Sequence, residues 1–183
     1  MILKNKDAIK KIYISLSAKI EMFLQPILLL ALRWQIGCIF FISGMTKWMG
    51  FMDFNPDSYD IFLYEFFCPE EIRPGALFLC NPETMDYTEG SFMITFIESL
   101  ALMAGTMEII LPILLMIGLF TRFAALGILG MVTFIQLAIF PEWSHWVNPA
   151  SWWFTIAAVI LVVGPGSLSL DRWLGLETSK SAS

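Results

Sequence analysis

Four runs of apolar residues, about 26–49, 92–117, 122–141 and 151–165, dominate this chain. A stretch of roughly 18 or more apolar residues is long enough to cross a bilayer as a helix. Hydrocarbon offers the backbone no hydrogen-bond partner, so the peptide groups must satisfy one another within each helix. The chain is 57% hydrophobic, against roughly 45–50% in soluble domains, and its mean hydropathy is +0.72. The expected fold class is all-α: an integral membrane four-helix bundle with an N-terminal amphipathic interfacial helix. Residues 26–175 form the expected transmembrane domain, with an acidic loop over 50–91, a basic segment at 1–25 and a tail at 176–183.

The first segment, "MILKNKDAIKKIYISLSAKIEMFLQP", lacks the compact apolar core and small-residue site of a cleavable secretory signal. Ile9, Ile12, Leu16, Ile20 and Phe23 recur at helical spacing, with Lys4, Lys10, Lys11 and Lys19 among them. That pattern predicts a basic amphipathic helix lying on an anionic membrane surface, a flexible tail being the plainer reading. Residues 1–25 hold five Lys against Asp7 and Glu21. Segment 50–90 holds nine acids (Asp53, Asp57, Asp60, Glu65, Glu70, Glu71, Glu83, Asp86 and Glu89) against Arg73. Arg122, Arg172 and Lys180 fall on the side of the N-terminus. Basic residues stay inside, so both termini are expected in the cytoplasm and the acidic loop outside, in a bacterial-type inner membrane. The lipid bilayer is the first partner, and no nucleic acid is expected.

Of three cysteines, Cys38 sits mid-membrane and reads as a packing residue. Cys68 and Cys80 both fall in the external loop, "CPEEIRPGALFLC", where a disulfide is permitted. A structural disulfide is the expectation, with unlinked thiols and a redox-cycling pair as the other readings. No metal-ligand cluster, phosphate-binding loop or dinucleotide-binding glycine pattern occurs, and one histidine makes an all-protein transition-metal site unexpected.

The apolar runs nevertheless carry ionisable residues, each costly in hydrocarbon. If the first two runs lie end to end and antiparallel, at about 1.5 Å rise per residue, Arg33 matches Glu108 in depth and Lys47 matches Glu98. Arg33 and Lys47 lie nearly four turns apart on one face, and Glu98 and Glu108 are about 80° apart. Two acid–base pairs are therefore expected, either as candidate catalytic groups or as staples that fix helix register. Pro112 would free a backbone carbonyl at Glu108.

Gln136 and His145 are expected to join Lys47 and Glu98 at the external end. Trp48, Trp143, Trp146, Trp152 and Trp153 gather there too, most simply as an interfacial aromatic belt. The functional alternative is a flat slot for a quinone head group, with Trp48, Gln136 and Trp143 as its cofactor-binding residues.

"FFISGMTKW", "EIILPILLMIGLFTRFAALGILGM", "QLAIFPEWSHW" and "VVGPGSLSLDRWL" together resemble the DoxX family of small four-helix membrane proteins, from Arg33 to Leu174. "YDIFLYEFFCPEEIRPG" resembles the short amphipathic segment such proteins carry before their second helix, and about 76–90 looks like an insertion relative to it. The resemblance implies a bundle with both termini cytoplasmic. It also implies a link to quinone reduction, as in the membrane subunit of thiosulfate:quinone oxidoreductase, or to oxidative-stress and thiol defence beside a soluble enzyme. In the glycine motifs, Gly118 is expected to end the second helix, Thr121 to cap the third, Gly127 and Gly130 to admit close helices, and Ser169 to cap a short turn.

The leading expectation is a quinone-interacting redox subunit. Glu108 with Arg33, or Glu98 with Lys47 and His145, would exchange protons with the ring, and electrons would come from a partner or from Cys68 and Cys80. The alternative is a non-enzymatic anchor that docks a soluble or periplasmic redox partner through the acidic loop. A small transporter is a weaker third reading. A homo-oligomer fits a unit of this size, and the sequence assigns no enzymatic activity by itself.

Overall fold

A computed structural model of the chain describes residues 2–88 and 90–177, with side chains from residue 9 onward. Glu89, Lys180 and the rest of 178–183 lie outside the described residues, as do the side chains of Lys4 and Asp7. Helix α1 runs Ile2–Met45, followed by a small hairpin of β1 (Trp48–Gly50) and β2 (Asp53–Phe54). Helix α2 (Pro56–Asp60) widens into a π-type turn over Ile61–Phe66. Helices α3 (Phe92–Ile117), α4 (Thr121–Ile139) and α5 (Trp143–Val163) complete a set of four helices long and apolar enough to cross a membrane. A short α6 (Leu170–Trp173) follows. The backbone of α5 leaves helical geometry at Asn148.

The amphipathic segment is not a separate helix here. α1 continues unbroken through Pro26, and every residue from Ile9 to Gln25 is exposed. Good helix formers flank the proline on both sides, so the helix tolerates one lost backbone bond. Among the described side chains of α1, the first buried one is Leu29. The bundle therefore begins there, and the preceding turns project beyond it.

Around the bundle the order is α1, α3, α4, α5. α1 packs chiefly on α3 and α4 chiefly on α5. Ile36 and Phe40 of α1, Leu111 and Leu115 of α3, Ile128 and Val132 of α4, and Ile156 and Ile160 of α5 meet in one core. A second core lies above α1: Phe62, Leu63 and Phe67 pack against Ile97 and Ala101 of α3. The first turns of α3 thus rise past the end of α1 and are covered by the 54–67 segment.

The loop after α2 is pinned in several places. Cys68 and Cys80 form a disulfide, with Cα atoms 5.5 Å apart, and both are nearly buried. Leu77 N–H donates to the Ala138 carbonyl at 2.7 Å, tying the loop to the end of α4. Tyr87 donates to the Leu63 carbonyl at 2.9 Å. Burial, with Tyr64 and Asp86 nearby, pushes its phenol up to about 12.

Two close approaches depend on glycine. At Gly44 a Cβ would lie 2.9 Å from the carbonyl carbon and oxygen of Glu108, the carbonyl that Pro112 deprives of its helical donor. At Gly118 the backbone is left-handed (φ 74°), and the N–H of Leu119 returns to the Leu114 carbonyl at 2.9 Å. This is the helix ending expected from the sequence. The cap expected at Thr121 is instead made from a distance. Asp171 of α6 accepts from the N–H groups of Phe120 and Thr121 at 2.7 and 2.8 Å. A carboxylate suits the positive end of a helix better than a hydroxyl. Ser169 caps α6 as expected, accepting from Arg172 N–H.

Gly44→Ala should force α1 and α3 apart and lower stability by about 1–3 kcal/mol, despite the gain in helix propensity. Gly130→Ala, where an added Cβ meets nothing within 4 Å, should cost nothing and raise stability by up to about 1 kcal/mol. Thermal unfolding in detergent compares the two, and equal midpoints would show that the Gly44 contact is slack.

Candidate functional site

The two expected acid–base pairs are re-sorted. Lys47 Nζ lies 2.6 Å from Glu108 Oε2, not beside Glu98. Two local features explain the exchange. Helix α1 stops at Met45, and the Lys47 side chain folds back one turn, donating to the carbonyl and hydroxyl of Ser43 at 3.3 and 3.2 Å. In addition, α3 is shifted along α1 by roughly two and a half turns from end-to-end alignment, because its first turns serve the second core. Gly44 consequently faces Glu108.

Arg33 accordingly lies at the level of Gly118 rather than Glu108, and is fully buried. Its Nη2 donates to the Leu168 carbonyl, and Asp171 supplies the electrostatic partner without an ion-pair contact. A Cβ on Gly118 would collide with Arg33 Nη1. This cation therefore gathers the α3–α4 turn and the 164–171 segment, and takes no part in the cavity described next. Glu98 is half-buried and makes no hydrogen bond among the described residues.

A cavity of about 430 Å³ lies between α1, α3, α4 and α5, toward the disulfide-bearing loop. Its walls are apolar and aromatic, with Phe62, Phe66, Phe140 and Trp153 toward the loop and Met103 and Met107 from α3. Lys47 and Glu108 line it as an ion pair whose side chains are only 16% and 8% exposed. An ammonium and a carboxylate so shielded interact far more strongly than in water. Together they can donate to, or accept from, a polar atom in the cavity.

The second polar group is His145. Its Nδ1 lies 2.7 Å from Gln136 Oε1, while Gln136 Nε2 donates to the Glu142 carbonyl at 3.3 Å. That second bond orients the amide, so Oε1 is the acceptor and Nδ1 of His145 the donor. In the neutral imidazole Nε2 is then the remaining acceptor. A π-type turn over Ile135–Ile139 places Gln136 inward and buried, consistent with the use of such turns at functional sites. His145 stacks on Phe140 at 5.0 Å between ring centroids.

Arg73, the single cation of the acidic loop, closes this end. Its guanidinium lies 4.6 Å over the Phe140 ring and donates to the carbonyls of Glu65 and Ile139. The loop is thereby fastened to a wall of the cavity.

The structure thus brings together Lys47, Glu108 and His145 in the cavity, with Gln136 directly behind His145. It leaves Arg33 and Glu98 outside. Of the expected slot residues, Trp143 is 75% exposed, and Trp48 donates to the Gly105 carbonyl at 3.4 Å without lining the cavity. Sequence reasoning missed Phe62, Phe66, Phe140 and Arg73. A lone arginine among nine acids was the one signal that could have singled out Arg73.

The DoxX family model matches residues 28–141, well over half of the chain. No curated protein and no solved structure matches it. The chain belongs to the DoxX family. The matched region holds Lys47, Glu108 and Gln136 and ends before His145.

Lys47→Met should leave Glu108 buried without its partner and cost about 3 kcal/mol. The double variant Lys47→Met/Glu108→Leu should recover most of that loss. Chemical unfolding of all four forms in detergent closes the cycle, and additive losses would mean the two groups act independently.

Proposed function

From DoxX-family membership and four candidate membrane spans, we propose that this protein is a quinone-interacting membrane subunit of a redox couple. The observation that carries the reading is the apolar, aromatic-walled cavity with an ion pair and a histidine as its polar groups. A quinone head group is flat and apolar with two carbonyl oxygens, and it takes up two protons when two electrons arrive. Lys47, beside Glu108, would donate to one carbonyl oxygen. His145, with Nδ1–H held by Gln136, would donate to the other once Nε2 has taken up a proton, and would accept the proton of a quinol hydroxyl in the reverse direction. The two electrons would come from a reduced partner protein, or from the thiols of Cys68 and Cys80 as they close to the disulfide. The basic residues of 1–25 would contact the anionic surface of the membrane. The Lys-rich end of the bundle would face the cytoplasm of an inner-membrane protein.

Titration of the detergent-purified protein with a ubiquinone analogue, read by difference spectroscopy, tests the proposal. Wild type should bind. Glu108→Gln, which keeps the shape and removes the charge, should weaken binding about tenfold, the scale of one charged hydrogen bond. Absence of binding to folded wild type would end the quinone reading.

The alternative, a non-enzymatic anchor, is favoured by a depression on the loop lined by Glu65, Glu70 and Glu71, with Arg73 and Glu142 paired at 3.8 Å beside them. A cationic partner surface would suit it. Capture of a soluble partner should then fail at high salt and in Glu70→Lys/Glu71→Lys. Salt-independent capture would rule out an electrostatic dock.

A further inference from the structure

At the end of the bundle away from the cavity, a groove of about 480 Å³ opens between α1 and the chain that follows α5. It lies where the apolar spans stop, since α4 begins at Thr121 and α5 ends at Val163. One wall is apolar, formed by Met22 and Leu29 of α1 and by Val163. The polar side carries Gln25, Ser167 and two arginines, Arg122 and Arg172.

The arginines differ in what they are free to do. Arg122 is engaged: its guanidinium donates to the Leu161 and Val162 carbonyls at 2.6 and 3.2 Å and pairs with the Glu177 carboxylate. Arg172 is exposed, and its guanidinium has no hydrogen-bond or ion-pair partner among the described residues. Lys19 sits three residues before Met22, on the same face of α1. The Arg122–Glu177 pair is neutral, so Arg172 leaves the groove lining with a net positive charge. The N–H groups of Gly166 and Ser167 likewise meet no acceptor among the described residues. An uncompensated guanidinium, free amide donors and an apolar wall therefore converge at the depth of lipid head groups.

We propose that this groove binds the phosphate of an anionic phospholipid, with Arg172 as the principal charge and the Met22–Leu29–Val163 wall against the first carbons of an acyl chain. A soluble anion would use the donors and gain nothing from the wall. A zwitterionic lipid would bring its own cation against Arg172 and Lys19. An anionic lipid satisfies both sides, because its phosphate meets the guanidinium and its acyl chain meets the wall. The site is separate from the cavity and does not rest on the quinone reading.

The test is native mass spectrometry of the full chain in neutral detergent, given phosphatidylglycerol and phosphatidylcholine in equal amounts. Wild type should retain phosphatidylglycerol about tenfold over phosphatidylcholine, the scale of one charge-assisted contact. Arg172→Gln should abolish most of that preference, and Arg172→Lys should restore part of it. Ser167→Trp, which fills the groove without altering charge, should lose it as well. Equal preference in wild type and both loss variants would overturn the proposal. Displacement of the lipid by millimolar inorganic phosphate would also overturn it, by assigning the groove to a soluble anion.

Discussion

The contact between Gly44 of α1 and the backbone of Glu108 fixes the register of the two helices on which the rest of the bundle is built. Inside a bilayer, association between helices comes from close packing and from polar groups that find partners across the interface. Both operate at this point. The missing Cβ lets the backbones touch where Pro112 has left a carbonyl without its donor, and Lys47 reaches back to neutralise the carboxylate of that same residue. Sliding α1 by one turn would bring a larger residue against Glu108 and leave a charge unpaired in a largely apolar interior.

The two ends of the molecule inherit their roles from that register. At one end, Arg33 is placed under the Gly118 turn, where it holds the Leu168 carbonyl while Asp171 caps α4. A buried cation and a buried anion thus serve as joints for loops and are not available to a ligand. At the other end, the first turns of α3 stand above α1 and need another cover, which the 54–67 segment provides. The space below that cover, between the ion pair and the His145–Gln136 network, is the cavity. Its polar groups are fixed by contacts behind them: Ser43 holds Lys47, and the Glu142 carbonyl holds Gln136, which holds His145. Such backing favours a site with defined protonation over one that relaxes around its ligand.

Much of this was legible before any coordinates. Four apolar runs gave four helices, Gly118 gave the end of the second, and Cys68 with Cys80 gave the staple. The link between Gln136 and His145 followed from their shared end of the bundle. The pairing of charges failed for a specific reason. Matching depths assumed that the first two helices lie end to end and that Lys47 belongs to a helix. Neither holds, because contacts distant in sequence set both the offset of α3 and the fold-back of Lys47. Asp171 as the cap of α4 was out of reach for the same reason, since it arrives from fifty residues away.

The sequence by itself determined the class of protein: apolar length and the absence of backbone partners in hydrocarbon permit little but a helical bundle, and turn chemistry marks where each helix stops. Only the tertiary structure decided which charge faces which. A helix can slide along its neighbour by whole turns without disturbing its own hydrogen bonds or apolar face. That sliding coordinate was fixed by a glycine meeting a proline-freed carbonyl, and it separated the cation that builds the fold, Arg33, from the one that lines the cavity, Lys47.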